Sequence, residues 1–165
     1  MAEKDLRQLR QAYTHTLLLT GRQWRRVADM AADRHGISEA KALPLVMIGR
    51  MGGEPRQHAL AEAVGIEGPS LVRLLDQLEA AGLVARREDP SDRRAKVLGL
   101  TPAGKTVVER MEDDLARLRE AMFDGVSEAD LETCMRVFRA VQDFARDTAA
   151  AGAAGMAALR GEAAE

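Results

Sequence analysis

The stretch LVARREDPSDRRAKVLGLTPAGK at residues 83–105 decides the fold of this 165-residue chain. Two runs typical of short β-strands, 83–88 and 95–101, flank the sequence DPSDRR. Aspartate, proline and serine between two such runs predict the turn of a β-hairpin. Thr101 and Pro102 then predict the N-cap and first residue of a helix, because the threonine hydroxyl accepts an unpaired amide and proline has no amide to satisfy.

Two short helices are predicted directly before this hairpin, over residues 56–64 and 69–81. Gly65 permits a tight turn between them, Gly68 is expected to cap the second helix and Pro69 to begin it. Helix, turn and helix in this order form the helix-turn-helix unit. The second helix separates an apolar stripe from a polar side. The apolar stripe comprises Leu71, Leu74, Leu75 and Leu78, and the polar side comprises Ser70, Arg73 and Gln77.

Longer helices are predicted on both sides of this segment. Apolar residues at steps of three and four over 4–34 indicate one helix about 46 Å long at 1.5 Å per residue. Further helices are expected over 39–50, from Pro102 to about Met122, and from the Ser127 cap to about Asp147. The fold class is therefore mainly α with a small β-wing.

Composition excludes several other classes of protein. Apolar residues make up 46% and charged residues 30%, as in a soluble globular protein, and the one cysteine cannot form an intramolecular disulfide. The N-terminus lacks the apolar segment of a signal peptide, and no apolar run approaches the roughly 18 residues of a membrane span. A cytoplasmic protein without a membrane partner is expected.

Charge is distributed unevenly along the chain. The formal net charge is −2, yet residues 84–105 carry six cations and three acids, a local net charge of +3. Binding of nucleic acid depends on the local field rather than on the total charge.

A helix-turn-helix followed directly by a hairpin is a winged helix. Its exposed helix can enter a major groove about 12 Å wide, where serine, arginine and glutamine side chains suit base edges and phosphates. Arginine at a hairpin tip suits a narrow minor groove with its enhanced negative potential. The sequence thus predicts a DNA-binding domain.

The segment GIEGPSLVRLLDQLEAAGLVARREDPSDRRAKVLGLTPAGK at 65–105 strongly resembles the winged helix of the MarR family of bacterial transcription regulators. The order of elements extends the resemblance from about residue 5 to 147. The resemblance implies a homodimer whose first and last helices intertwine, a palindromic site on double-stranded DNA, and usually repression. It also implies an effector pocket between the dimerisation and DNA-binding regions.

On this basis the chain divides into four regions. Residues 1–36 and 123–147 are expected to form a helical dimerisation region, whose apolar stripes the small winged domain could not cover. Residues 37–104 form the winged helix-turn-helix domain and 105–122 a connecting helix. Residues 148–165 are an Ala/Gly-rich tail without an assigned function.

The resemblance also implies individual DNA contacts. Ser70 and Arg73 match recognition-helix contacts, with Pro69 shaping the helix start. Arg94 matches a wing-tip arginine, Arg93 a phosphate contact, and Asp92 an acid that holds a neighbouring arginine. The predicted contacts are Pro69, Ser70, Arg73, Gln77, Asp92, Arg93, Arg94 and Lys96.

A small aromatic or phenolic effector is the ligand expected from the resemblance, although core or dimer packing is the commoner role for a residue such as Trp24, and solvation for Arg22 and Arg25. The predicted pocket residues, all on the first two helices, are His15, Arg22, Trp24, Met47 and Arg50.

A redox-sensing regulator, a module for protein contacts and an enzyme are the alternative functions. A redox-sensing regulator would need a reactive cysteine, whereas Cys134 occupies an apolar position typical of a small core residue. A winged helix can also serve protein contacts alone. An enzyme is not expected, because His15, His35 and His58 are scattered and no HExxH, CxxC, GxSxG or glycine-rich phosphate motif occurs. No cofactor and no metal are expected.

Overall fold

The computed structural model describes residues 2–52 and 54–159. Its elements are α1 (Ala2–Asp33), α2 (Glu39–Met51), α3 (Gln57–Val64), α4 (Gly68–Ala80), β1 (Val84–Asp89), β2 (Asp92–Leu100), α5 (Pro102–Met122) and α6 (Glu128–Leu159). This mainly helical fold with one antiparallel pair of strands confirms the predicted class. The chain forms two compact units, Met1–Arg119 and Glu120–Glu165, which are described in turn.

The core of the first unit is built on α4. Leu71, Leu75 and Leu78 have no exposed surface and pack with Leu45 of α2 and Leu60 of α3. The predicted apolar stripe is thus confirmed at three of its four positions. The fourth, Leu74, is half-buried because it faces a cavity.

The start of α4 differs from the prediction by one residue. Glu67, in extended conformation, is the N-cap, Gly68 is the first helical residue and Pro69 the second. Proline disfavours a helical residue before it, mainly through a clash with that residue's Cβ and amide. Gly68 has no Cβ, so the helix can begin before the proline.

The hairpin is tighter than the sequence suggests. The strands pair from Val84↔Leu100 to Glu88↔Lys96, and the register then shifts so that Asp89 lies opposite Asp92. The turn is therefore Pro90–Ser91, and the predicted six-residue loop is wrong. Residues 93–95 lie in β2 opposite the step between Glu88 and Asp89, where the strand carries three extra residues.

A third segment supports the hairpin from the side. Arg56 forms a β-bridge with Val97, and the Leu98 amide donates to the Pro55 carbonyl at 2.9 Å. The segment that leads into α3 therefore lies along the outer edge of β2, and the wing is held by the helix-turn-helix unit as well as by its own strands.

A compact junction joins the hairpin to α5. The Gly104 amide donates to Thr101 Oγ1 at 3.0 Å, and the Thr101 hydroxyl donates to the Gly82 carbonyl at 2.6 Å. These bonds confirm the predicted threonine cap. The Thr101 amide donates to the Leu83 carbonyl at 3.0 Å, and a Cβ on Gly104 would overlap that same carbonyl oxygen.

The second unit consists of the last residues of α5 and the whole of α6. Ser127 caps α6 as predicted, since its hydroxyl donates to Asp130 Oδ2 at 2.6 Å and accepts the Asp130 amide at 3.2 Å. The helix continues past the predicted end near Asp147, with a break in helical geometry at Gly152. Residues 160–165 of the predicted tail lie outside the described residues.

Apolar side chains of α6 lie at the surface of the single chain. Cys134 is exposed as well, so its predicted core position is wrong for the single chain. The exposed apolar residues of α6 include Met135, Val137, Phe138, Val141 and Phe144. In the first unit, α1 likewise exposes Leu6, Leu9, Leu18, Leu19, Val27 and Met30.

Within the described part of the chain, none of the helices combines the length and the apolar character that crossing a membrane requires.

Gly104→Ala tests the junction between the hairpin and α5. Its methyl group would overlap a backbone carbonyl, so we expect the free energy of unfolding to fall by at least about 2 kcal/mol. Gly21→Ala in α1 is the matched control. A Cβ there meets no heavy atom within 4 Å, and the change should stabilise the helix by up to about 1 kcal/mol. Urea unfolding followed by circular dichroism measures both; equal stabilities would contradict the close approach.

Candidate nucleic-acid interface

The polar side of α4 is open to solvent. Ser70, Arg73 and Gln77 are exposed, and Pro69 is exposed at the start of the helix. The buried leucines on the opposite side fix the rotation of α4 about its axis. The helix therefore presents a hydroxyl, a guanidinium and an amide together, which are groups that read base edges or bind phosphates.

Arg86 of β1 fixes the wing against α4. Its guanidinium forms an ion pair with Asp76, and its Nε donates to Glu79 Oε2 at 3.0 Å. The hydrogen bond that Arg86 donates to Asp76 is the largest cause of the raised pKa of Arg86. The Arg86 side chain is 19% exposed, so these contacts hold a largely covered cation. They also neutralise two acids on the helix that would otherwise repel phosphates.

Other cations near the hairpin are paired within the lobe. Arg87 forms an ion pair with Glu54, and Lys96 Nζ lies 3.4 Å from Glu88 Oε1. The count of six cations along 84–105 therefore overstates the positive charge available to a partner. The backbone of Arg93 and Arg94 belongs to β2, and the predicted contacts of their side chains lie outside what the structure describes.

The hairpin tip is braced by Asp89. Its Oδ1 accepts the Ser91 amide at 2.8 Å and the Ser91 hydroxyl at 2.7 Å, and its Oδ2 accepts Arg56 Nε at 2.6 Å. The bonds from Ser91, followed by the contact with Arg56, lower the pKa of Asp89 to about 2. Asp92, which is predicted to hold a neighbouring arginine, is exposed and lies opposite Asp89 in the register.

A signal for this brace was present in the sequence. Asp-Pro-Ser is the pattern of a turn in which an aspartate side chain accepts the amide two residues later. The partner Arg56 carries no such signal, because it lies 33 positions away in another element.

A cavity of about 750 Å³ lies in the first unit between α1, α2, α4 and α5. Two of the five predicted pocket residues, Trp24 and Arg50, line it. His15, Arg22 and Met47 are described residues that do not belong to the lining. His15 and Arg22 are exposed on α1, and Met47 packs against the core cluster instead.

Three arginines lie in the cavity lining, and two of them share one carboxylate. Arg50 holds Glu112 of α5 through two bonds, Nε to Oε1 at 2.5 Å and Nη2 to Oε2 at 3.0 Å. Arg119, also in the lining, lies 3.5 Å from the same carboxylate. The bond from Arg50 is the largest cause of the lowered pKa of Glu112. Arg25 adds a third guanidinium to the lining, and Asp29 a carboxylate.

Another part of the lining belongs to the helix-turn-helix unit. Val64 at the end of α3, Ile66 in the turn and Leu74 of α4 all line the cavity. Arg73, the neighbour of Leu74, points to solvent from the same helix. A molecule in the cavity would therefore contact the helix that presents the polar side.

A buried carboxylate joins α5 to the loop after α1. His35 Nε2 lies 2.9 Å from Asp114 Oδ2, and Arg117 pairs with the same carboxylate. The bonds from Arg117 and then from His35 lower the pKa of Asp114. His35 is therefore a half-buried residue with a structural role. Among the described residues, no group of three or more histidine, cysteine or acidic side chains could hold a metal ion.

These features define a winged-helix DNA-binding protein: an anchored helix with an exposed polar side, and a braced hairpin beside it. The sequence model described as MarR family matches residues 35–95. Transcriptional regulator PA3341 is 35% identical, with a TM-score of 0.77 over 82% of this chain and 98% of that chain. The chain belongs to the MarR family of transcriptional regulators.

Two further solved structures have the same fold at lower identity. MarR family transcription regulator SP03579 is 22% identical, with a TM-score of 0.73 over 90% of this chain and 97% of that chain. The S. aureus MepR–DNA complex is 22% identical, with a TM-score of 0.67 over 79% of this chain and 96% of that chain.

Asp89→Asn tests the brace at the hairpin tip through its pH dependence. The pKa of Asp89 lies below its ordinary value of 3.8, at about 2, so the folded state favours the charged form. The stabilisation is fully present above the ordinary value and is lost as the pH falls toward 2. We expect the wild type to exceed the variant in free energy of unfolding at pH 7 and the difference to shrink between about pH 4 and 2. Urea titrations at several pH values measure it; a constant difference would contradict the brace.

Proposed function

We propose that this MarR-family regulator is a homodimeric repressor that binds a palindromic operator and is released by a small aromatic or phenolic acid. The observation that carries the DNA-binding part is the exposed trio Ser70, Arg73 and Gln77 on α4, held beside the wing by Arg86. Action on a bacterial operator would place the protein in the cytoplasm.

In the proposed complex α4 lies in the major groove. Arg73 suits the O6 and N7 acceptors of guanine, Ser70 and Gln77 suit neighbouring bases or phosphates, and Pro69 sets the helix start. The wing follows the adjacent backbone, with Arg94 in the minor groove, Arg93 and Lys96 toward phosphates, and Asp92 holding a neighbouring arginine. The fold shared with MepR, which has been solved in complex with DNA, supports this placement.

A second copy of the chain would cover the apolar surfaces that the single chain exposes. These surfaces lie on α1 and α6, within the proposed dimerisation regions 1–36 and 123–147. Cys134, Phe138 and Val141 share one side of α6, since they are spaced by four and three residues. A dimer formed through this side would cover Cys134, which favours a packing role over the alternative of redox sensing.

The cavity is the proposed effector site. Trp24 offers an aromatic surface, and Arg25, with Arg50 and Arg119 that share the single carboxylate of Glu112, offers positive charge for the carboxylate or phenolate of a ligand. Binding would be transmitted through Leu74 and Ile66 to the recognition helix, because both residues line the cavity. Such a ligand would lower the affinity for DNA only if it binds more tightly to a conformation in which α4 is displaced, and only in proportion to that difference in affinity.

Arg73→Ala tests the DNA-binding part of the proposal. Removal of a base-reading arginine should weaken operator binding by about 1–3 kcal/mol. Arg110→Ala, which removes an exposed arginine from α5, should bind like the wild type. Footprinting of the upstream intergenic region supplies the operator, with two half-sites expected about one helical turn apart, and fluorescence anisotropy measures affinity. Equal binding by all three proteins, without salt dependence, would favour a module for protein contacts alone.

Arg50→Gln tests the effector site. A panel of aromatic and phenolic acids is titrated against the preformed operator complex, and at least one acid should release the DNA. The variant should need roughly tenfold more of that acid, in line with the loss of a charge-assisted hydrogen bond. Arg22→Gln is the matched control, since Arg22 is exposed on α1 outside the cavity. An equal loss of response in both variants, or no effect of any acid, would contradict the site.

A further inference from the structure

Arg56 lies at the N-cap position of α3, yet its side chain serves the wing. The guanidinium reaches Asp89 at the end of β1, where Nε donates to Oδ2 at 2.6 Å, and Nη2 donates to the Ser91 hydroxyl at 3.0 Å. Arg56 makes no side-chain hydrogen bond that would cap its own helix. Serine, threonine, aspartate or asparagine would supply such a cap. The contacts of this side chain are therefore directed at the hairpin tip.

The backbone around Arg56 is fixed to the same hairpin. Arg56 forms a β-bridge with Val97, and the Pro55 carbonyl accepts the Leu98 amide at 2.9 Å. The residue is thus anchored at the middle of β2 while its side chain reaches the turn. Arg56 therefore contacts the wing at two places, the middle of β2 through its backbone and the turn through its side chain, although it does not belong to the hairpin.

Asp89 needs this partner. It is only 7% exposed, and a covered carboxylate is stable only where hydrogen bonds or an opposite charge replace water. Ser91 satisfies Oδ1, and Arg56 satisfies Oδ2. The planar fork of a guanidinium can hold the carboxylate and the serine hydroxyl at once, which a lysine ammonium cannot do with the same geometry.

We propose that Arg56 is a positioning residue for the wing: it fixes the hairpin tip from the helix-turn-helix unit, so that residues 93 and 94 enter DNA from an already ordered turn. The role rests on the proposed function, in which the wing reads the minor groove. A hairpin tip that is already ordered in the free protein loses less conformational entropy when DNA binds, so the affinity for DNA is higher.

A direct phosphate contact is the competing role for Arg56. The side chain is 41% exposed and lies near the start of a helix, where phosphates commonly bind. The two roles differ in what they require. A phosphate contact needs only the positive charge, whereas positioning needs the fork.

Arg56→Lys separates the two roles, because it keeps the charge and removes the fork. Binding is measured by anisotropy on the operator and on a duplex whose wing-contacted positions are changed from A·T to G·C. We expect about 3- to 10-fold weaker binding to the operator, a smaller loss on the G·C duplex, and an unchanged slope of affinity against salt. Ser91→Ala, which removes one end of the brace without changing charge, should shift affinity in the same direction. Arg110→Lys on α5 is the matched control and should bind like the wild type.

The outcomes distinguish this role from the proposed function. Wild-type-like binding by Arg56→Lys would overturn positioning, as would an equal loss on both duplexes. A phosphate contact would instead appear as a salt slope reduced by about 0.9 in Arg56→Gln with Arg56→Lys unchanged. A wild-type protein without salt-dependent DNA binding would overturn the proposed function and this role with it. Thermal melting of each variant confirms that the comparison is made between folded proteins.

Discussion

The positions of the hairpin and of α5 both depend on the backbone carbonyl of Leu83. It accepts the Thr101 amide at 3.0 Å, directly beneath the first strand pair, Val84↔Leu100. The same oxygen leaves no room for a side chain at Gly104, so α5 can approach only with a glycine there. One carbonyl therefore closes the base of the hairpin and sets the starting point of α5. The position of the wing relative to α4 follows from this closure, because Gly82 and Leu83 are all that separates Ala81, the C-cap of α4, from β1.

Several ion pairs hold the hairpin against the helix-turn-helix unit. Arg86 binds Asp76 and Glu79 of α4, Arg87 binds Glu54, and Arg56 binds Asp89. These pairs connect the hairpin to two other parts of the chain, α4 and the segment 54–56 that leads into α3. Exposed ion pairs are worth little individually, but a hairpin of two strands is marginal on its own. A small sheet that must keep its shape against a charged duplex gains from contacts at its base, its middle and its tip.

The sequence predicted those parts of the fold in which local chemistry and periodicity agree. The leucine stripe of α4 and the Thr101–Pro102 helix start are local signals, and both are confirmed. The six-residue turn was wrong because Asp89 folds back onto Ser91 and lets β2 begin at Asp92. The Arg56–Asp89 contact and the cavity depend on residues far apart in the chain, for which periodicity gives no signal. Cys134 is exposed because the single chain leaves the apolar side of α6 uncovered. Apolar periodicity indicates which side of a helix is to be buried, but not which part of the same or another chain covers it.

The contacts also constrain how a ligand in the cavity could affect DNA binding. Leu74 lines the cavity while Leu71, Leu75 and Leu78 of the same helix are fully buried. Displacing α4 alone would open that packed core, which is costly for each leucine that loses its contacts. Arg86 ties β1 to α4, and Arg56 ties the hairpin tip to the start of α3. Arg86 thus links the wing to α4 and Arg56 links it to α3, which favours a shift of the helix-turn-helix and wing as one body over local melting of α4. A ligand that displaces Leu74 would then move the proposed major-groove and minor-groove contacts together, so that both would weaken at the same ligand concentration.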